Sequence, residues 1–243
     1  MPYSDEWLSE LNQPHAGVLV LQENVAVRAD VLPRVCASVL DHLIGDDILT
    51  RLGYAKSAAV RNRLPTSTQI RSGDIGEIIA TDYVQAKTSF VVPLKRLRYK
   101  DDRNTSMRGD DLIALDTRGP AVHVLKAEVK SRAALATATV KAACQALEGN
   151  RGRPKASSLA FISMRLRERG RDDLAATIEA LQEGDLRIEQ VHHLVFIVCG
   201  NAPLPHLEAC LREPVSAAER RFIGLQIDNH PAFIEAIFGM LDA

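Results

Sequence analysis

Four side chains in this sequence have the types and spacing that phosphodiester hydrolysis needs: the acids Glu77, Asp111 and Glu128, with Lys130. Asp111 opens an apolar run and Glu128 closes another. Lys130 follows Glu128 by two positions, the spacing that keeps alternate strand side chains on one face. Hydrolysis calls for a more acidic attacking water and for stabilised charge on the five-coordinate phosphorus, and hard divalent cations held by carboxylates supply both. Asp111, Glu128 and the backbone carbonyl of Val129 would ligate such a cation. Lys130 would orient the nucleophilic water, lower its pKa or stabilise the phosphorane, and Glu77 would hold a second metal or the waters around the first. Magnesium, or manganese in its place, suits an all-oxygen site with few carboxylates. Asp110 is a rival to Asp111, because in alternating geometry only one of the two faces the site; Asp111, which adjoins Leu112 and Ile113, is the choice.

The acid-x-lysine pair carries little information alone, since about one such pair is expected by chance in a chain of this composition. Its surroundings carry more. The pair sits at the exit of an apolar strand, another acid opens the preceding strand, and charged residues in apolar strands are costly unless paired or bound to metal. The plain alternative is an ion-pair network in which Lys130 neutralises Glu128 or Asp111.

The elements that must position these residues follow from periodicity. Residues 17–21 read as a strand, 29–43 as a helix and 46–63 as a second helix ended by Pro65. A helix beginning after Ser72 and running to about 86 would carry Asp74 and Glu77 in its first turns, with Glu77 on the side of Asp74 and Thr81. Residues 90–99 suggest a strand with a basic exposed face that includes Lys95. The polar loop 100–108, ending at Arg108, is long and charged enough to be a mobile substrate-contacting segment. Strands at 111–116 and 121–129 form a hairpin about Thr117-Arg118-Gly119-Pro120. Centring its turn between Arg118 and Gly119 places Asp111 opposite Lys126 and diagonal to Glu128, about 7 to 8 Å away at Cα. A one-residue slip would put the acids on opposite faces. The alanine-rich helix 133–147 carries Lys141 and Gln145, which with Lys95 and Arg108 are candidate phosphate contacts. A basic loop at 151–155, helices at 157–169 and 172–183, strands at 191–199 and 222–227 and a helix at 232–241 complete the chain. This order predicts an α/β fold, a mixed sheet flanked by helices, with an elaboration at 1–70, the core at 71–200, and a strand and helix at 201–243 completing the same domain.

At 243 residues the chain can bury a substantial core. Its start lacks a basic and an apolar signal region and no apolar run approaches the roughly 20 residues a bilayer requires, so a cytoplasmic protein without membrane contact is expected. Cys36, Cys144, Cys199 and Cys210 form no CxxC pair and read as buried thiols. His192 and His193 precede a buried strand and read as structural. Asn104-Thr105-Ser106 matches a glycosylation sequon that a cytoplasmic chain would not use. No Gly-rich phosphate loop is present, so ATP hydrolysis is not expected of this chain. The formal net charge of -1 hides segregation: 51–108 and 149–171 are basic, and 1–50 and 172–243 are acidic. Phosphate is bound by local Lys and Arg, so a near-neutral total does not count against a polyanionic substrate. Mutual neutralisation of the basic and acidic segments explains the same pattern.

The set Gly76-Glu77, Leu94-Lys95-Arg96, Arg108-Gly109-Asp110-Asp111 and Ala127-Glu128-Val129-Lys130-Ser131 resembles the HamA family, the nuclease subunits of the Hachiman antiphage defence system, within the PD-(D/E)xK nuclease superfamily. The resemblance spans most of residues 70–148 and is looser at both ends. It implies a restriction-endonuclease-like core in which Asp111, Glu128 and Lys130 match the catalytic residues and Glu77 the upstream helix acid. It further implies a superfamily 2 helicase partner, HamB, and a complex held inactive until DNA is sensed. The doubled acid Asp110-Asp111 departs from the pattern at that ligand. A restriction endonuclease with its own target sequence, or a non-catalytic DNA-binding scaffold, are the alternatives. The acidic segments at 1–50 and 172–243 are candidate docking surfaces.

Overall fold

Alternating apolar residues along the strands give each strand two sides to bury, and helices cover both. A computed structural model describes residues 3–11, 16–45, 61–211 and 218–242. The helix expected over 46–63 lies almost wholly outside them. In chain order, helix α1 (Ser4–Trp7) leads into strands β1 (Leu8–Glu10) and β2 (Val18–Glu23), then helix α2 (Arg28–Leu43) and the long helix α3 (Thr68–Lys87). The hairpin β3 (Leu112–Asp116) and β4 (His123–Arg132) follows, then helices α4 (Thr137–Glu148), α5 (Ala156–Glu168) and α6 (Asp172–Ala180). Strand β5 (Val191–Cys199), helix α7 (Leu204–Glu208), strand β6 (Glu219–Gln226) and helix α8 (His230–Asp242) close the chain.

The strands make one six-stranded sheet ordered β1-β2-β6-β5-β4-β3. The run β2-β6-β5-β4 is parallel, and both edge pairs are antiparallel. This is the mixed α/β sheet flanked by helices that the element order predicts. Leu125, Ala127 and Val129 of β4, with Phe196 of β5, pack under α2, α3 and α8 against Val35, Ile75, Ile78 and Phe233. On the other side, Val195 and Ile197 meet α4 and α7, and Ile113 and Val124 meet α5 and α6. Strand β6 lies between β5 and β2, so all three predicted segments contribute to one sheet. No helix among the described residues is long and apolar enough to cross a membrane.

Three sequence expectations are corrected. Residues 90–99 are not a strand: Val91 makes a single bridge to Leu115, and a 3₁₀ turn spans Arg96–Tyr99. Pro93 has no N–H to donate to a ladder, which accounts for the break. Helix α3 begins at Thr68 rather than after Ser72, so Glu77 sits mid-helix instead of in the first turns. Its start is served from outside, as Asn104 Oδ1 accepts the Thr66 and Ser67 N–H groups at 2.8 and 3.1 Å. That bond also corrects the expectation of a mobile 100–108 loop. Lys100 Nζ donates to both oxygens of buried Asp74 at 2.8 Å, so the loop is pinned to α3 at Lys100 and at Asn104.

Candidate functional site

The site is assembled where the β3–β4 ladder runs out. Its last pair is Leu112 with Ala127, and Ile113 pairs with Lys126. The expected pairing of Asp111 with Lys126 is therefore displaced by two residues, because the connection between Asp116 and His123 is longer than a tight turn. A two-residue shift preserves the face, so Asp111 is the next position opposite Glu128 instead of diagonal to it. Beyond Ala127 the edge of β4 has no strand partner on this side among the described residues, and the Asp111 carboxylate takes over. Its Oδ2 accepts the Val129 N–H at 2.9 Å. The N–H and C=O of one strand residue point to the same edge, so the Val129 carbonyl faces this opening too.

Lys130 Nζ contacts Glu128 Oε1 at 2.5 Å and lies 4.0 Å from Asp111 Oδ2. Burial pushes the Glu128 carboxyl up, the Asp111 charge pushes the same way, and Lys130 opposes both. Glu77 reaches the group from α3. Burial pushes its carboxyl up to about 7 despite a facing arginine. That arginine is Arg96, whose Nε and Nη2 donate to the two Glu77 oxygens at 2.9 and 3.0 Å; Nη2 also lies 3.3 Å from Asp111 Oδ1. Burial works against the Arg96 charge, but Glu77 and Asp111 outweigh it and hold the guanidinium protonated.

Two glycines permit this assembly. A Cβ on Gly76 would lie 2.9 Å from the Ser131 Cβ, so glycine lets α3 lie against β4 and delivers Glu77. Gly109 has φ +113 and would meet Ser158 Oγ at 2.8 Å, so the chain reversal before Asp110-Asp111 requires glycine twice over. The reversal sends the paired acids in different directions. Asp110 is buried, its Oδ2 accepts the Lys155 N–H at 2.8 Å, and its Oδ1 lies 3.8 Å from the Lys126 ammonium. It ties the start of α5 to the sheet, whereas Asp111 stands with Glu128 and Lys130.

The other candidates disperse. The Lys95 ammonium pairs with Asp41, which also takes Arg98, although Lys95 borders a cavity that Glu77, Arg96, Arg108 and Asp111 line. Arg108 is exposed at the rim of that cavity. Lys141 and Gln145 lie on the exposed face of α4, whose other face buries Val140, Ala143, Cys144 and Leu147. His193 is buried with Nε2 2.7 Å from the Gly152 carbonyl oxygen, and His192 lies 3.0 Å from His123. The four cysteines are buried, and none is in a disulfide. Arg96 is the site residue that reading by residue type passed over. The signal was available, as Arg96 directly follows Lys95, and in a segment expected to alternate the two would face opposite sides.

The donor set fits a hard divalent cation by chemistry, with carboxylates of Glu77, Asp111 and Glu128 and an edge carbonyl at Val129. Burial and mutual repulsion raise two of these carboxyls, a cost that a cation relieves. As they stand, the acids are held by Arg96, Lys130 and the Val129 N–H, and among the described residues no three acid, His or Cys side chains converge as a ready metal cage. The HamA family model matches residues 14–241. The Hachiman protein HamA of Bacillus cereus is 28% identical over 193 residues, covering 79% of this chain and 68% of that protein. A match running from before β2 into α8, and including every residue of the site, makes this chain a member of the HamA family.

Proposed function

We propose that this chain is a metal-dependent DNA nuclease with a PD-(D/E)xK core, serving as the effector of a Hachiman antiphage complex in the cytoplasm. The observation that carries the reading is the convergence of Asp111, Glu128 and Lys130 at the open end of the β3–β4 ladder, with Glu77 joined to Asp111 through Arg96. Asp111, Glu128 and the Val129 carbonyl would hold magnesium or manganese, with Glu77 beside them. The bound ion would acidify a water and polarise the scissile phosphate. Lys130 would keep its ammonium by the attacking water and stabilise charge growing on phosphorus. Arg108 at the cavity rim would contact the DNA backbone, a contact that binds without reading sequence. Nothing in the sequence supplies a sequence reader, so control would come from a partner, and the family resemblance points to a superfamily 2 helicase of the HamB type.

Incubating the chain and its helicase with linear and circular DNA in magnesium tests this. The wild type should yield a smear, and Glu128→Ala or Lys130→Ala should reduce cleavage at least about a thousandfold while helicase binding persists. Cleavage at the wild-type rate by either variant would refute the assignment, and discrete fragments would point to a sequence-specific restriction enzyme. One observation favours a second reading, a non-catalytic scaffold: Arg96 and Lys130 already pair with the acids as a structural network would. A wild type that cuts under no activating condition would support it.

A further inference from the structure

Resting on the reading of Glu77, Asp111 and Glu128 as the cation-binding acids, we infer that Arg96 is a built-in counter-ion that competes with the metal, so that loading the site requires its guanidinium to leave. Arg96 is engaged on every side. Besides its bonds to Glu77 and Asp111, Nη1 donates to the Asp110 carbonyl at 2.7 Å and lies 3.5 Å from that of Arg108. Both Glu77 oxygens and one Asp111 oxygen are thereby occupied. The Val129 N–H takes the other Asp111 oxygen, and Lys130 takes Glu128 Oε1. A hard cation binds through the same carboxylate oxygens, so it competes with Arg96 for both oxygens of Glu77 and one of Asp111.

Charge requires one of the two cations to go, since exchange for either leaves the cluster neutral. The contacts select Arg96, which holds three of the ligand oxygens against one for Lys130. Three carboxylates against Arg96 and Lys130 leave the cluster formally negative by one charge. A divalent ion entering beside both cations would make it positive by one, whereas exchange for Arg96 makes it neutral. Repulsion between a dication and a guanidinium at hydrogen-bond range in a half-buried site is a strong penalty. Arg96 has somewhere to go: it borders a cavity of about 260 Å³ lined also by Leu94, Met107, Arg108 and Phe161. Its outer bonds end on the carbonyls of Arg108 and Asp110, which flank the Gly109 reversal, so anything that reshapes this turn alters the hold on the guanidinium.

Titrating manganese into the full chain without DNA, followed by calorimetry and electron paramagnetic resonance, tests the competition. Arg96→Gln should bind manganese at least about tenfold more tightly than the wild type, and Asp111→Asn should lose binding. Binding by Arg96→Gln that is equal to or weaker than wild type, with an unaltered circular dichroism spectrum and thermal melt, would overturn the inference and leave the metal site standing. If Arg96→Gln does not fold, Arg96→Met serves, because it keeps the packed apolar stem but gives up the charge and the fork. It too should bind more tightly, and equal or weaker binding would overturn the inference. Absence of saturable manganese binding in the wild type and in every folded variant would remove the metal site itself, and this inference with it.

Discussion

Glu77 shows how one residue can record the purpose of its surroundings. It sits mid-helix with both oxygens bonded to a single guanidinium, and its carboxyl is nonetheless pushed up to about 7 by burial. A carboxyl raised in the folded state binds its proton there before the unfolded chain does, so its contribution to stability is present at low pH and lost as pH rises through about 7. In the presence of a chelator, the wild type should therefore gain stability relative to Glu77→Gln as pH falls from 8 to 5. Urea midpoints of the two proteins across that range check the sign; a constant difference would mean that Glu77 ionises normally. Asp111 and Asp110 make the complementary point. Adjacent in sequence and alike in charge, they differ because the Gly109 reversal turns one toward Lys126 and Lys155 and the other toward Val129 and Lys130.

Among the elements, β4 does most to organise the site. One face feeds the core under α3, and the other carries Lys126, Glu128 and Lys130 in succession. Lys126 is 1% exposed, and its ammonium donates to the carbonyls of Leu147, Gly149 and Arg153 at 2.8, 3.0 and 3.0 Å. It closes the carbonyl end of α4 and fastens the loop that leads into α5, two residues before Glu128. Burial pulls its pKa down, with Asp110 opposing. Lys126→Met should leave these carbonyls and Asp110 without their cation and cost on the order of 3 kcal/mol. Urea denaturation would measure it, and a loss below about 0.5 kcal/mol would mean that the carbonyls find other partners. Helix α3 has the same logic. Asp74, Glu77 and Asp82 each project to a clamp from elsewhere: Lys100 for the first, Arg96 for the second, and Tyr3, Ser38 and His42 for the third.

For the whole molecule, the segregated charges find one another in the fold. Asp41 takes Lys95 and Arg98, Asp242 takes Arg71, Asp5 takes Lys87, and Asp172 and Glu179 take Arg167. The acidic ends of the chain thus neutralise part of both basic segments, and the charge pattern owes at least that much to folding. The core is equally shared. Trp7 from the start stacks on Phe233 from the end, with ring centroids 5.3 Å apart, and β6 lies between β5 and β2. A fragment of residues 71–200 should therefore be insoluble or unfolded, because it would expose the apolar β5 as an edge and lose Phe233, Ile237 and Phe238 from its cover. Solubility with a cooperative melt for that fragment would show that the middle segment folds alone.

The sequence by itself determined the strands at β2, β3, β5 and β6, the helices at α2, α5 and α8 and the shared face of Asp111 with Glu128, because period-two and period-3.6 patterns are local and survive a two-residue register shift. The acid-x-lysine spacing was equally visible, though chance alone could produce it. Only the tertiary structure decided that 90–99 breaks at Pro93, that Asp110 and Asp111 part company, that Lys95 serves Asp41, and that Arg96 sits among the acids. Each of these depends on which distant group meets the side chain. A charge in a sequence has no partner until the chain closes on itself, and burial then makes the pairing compulsory.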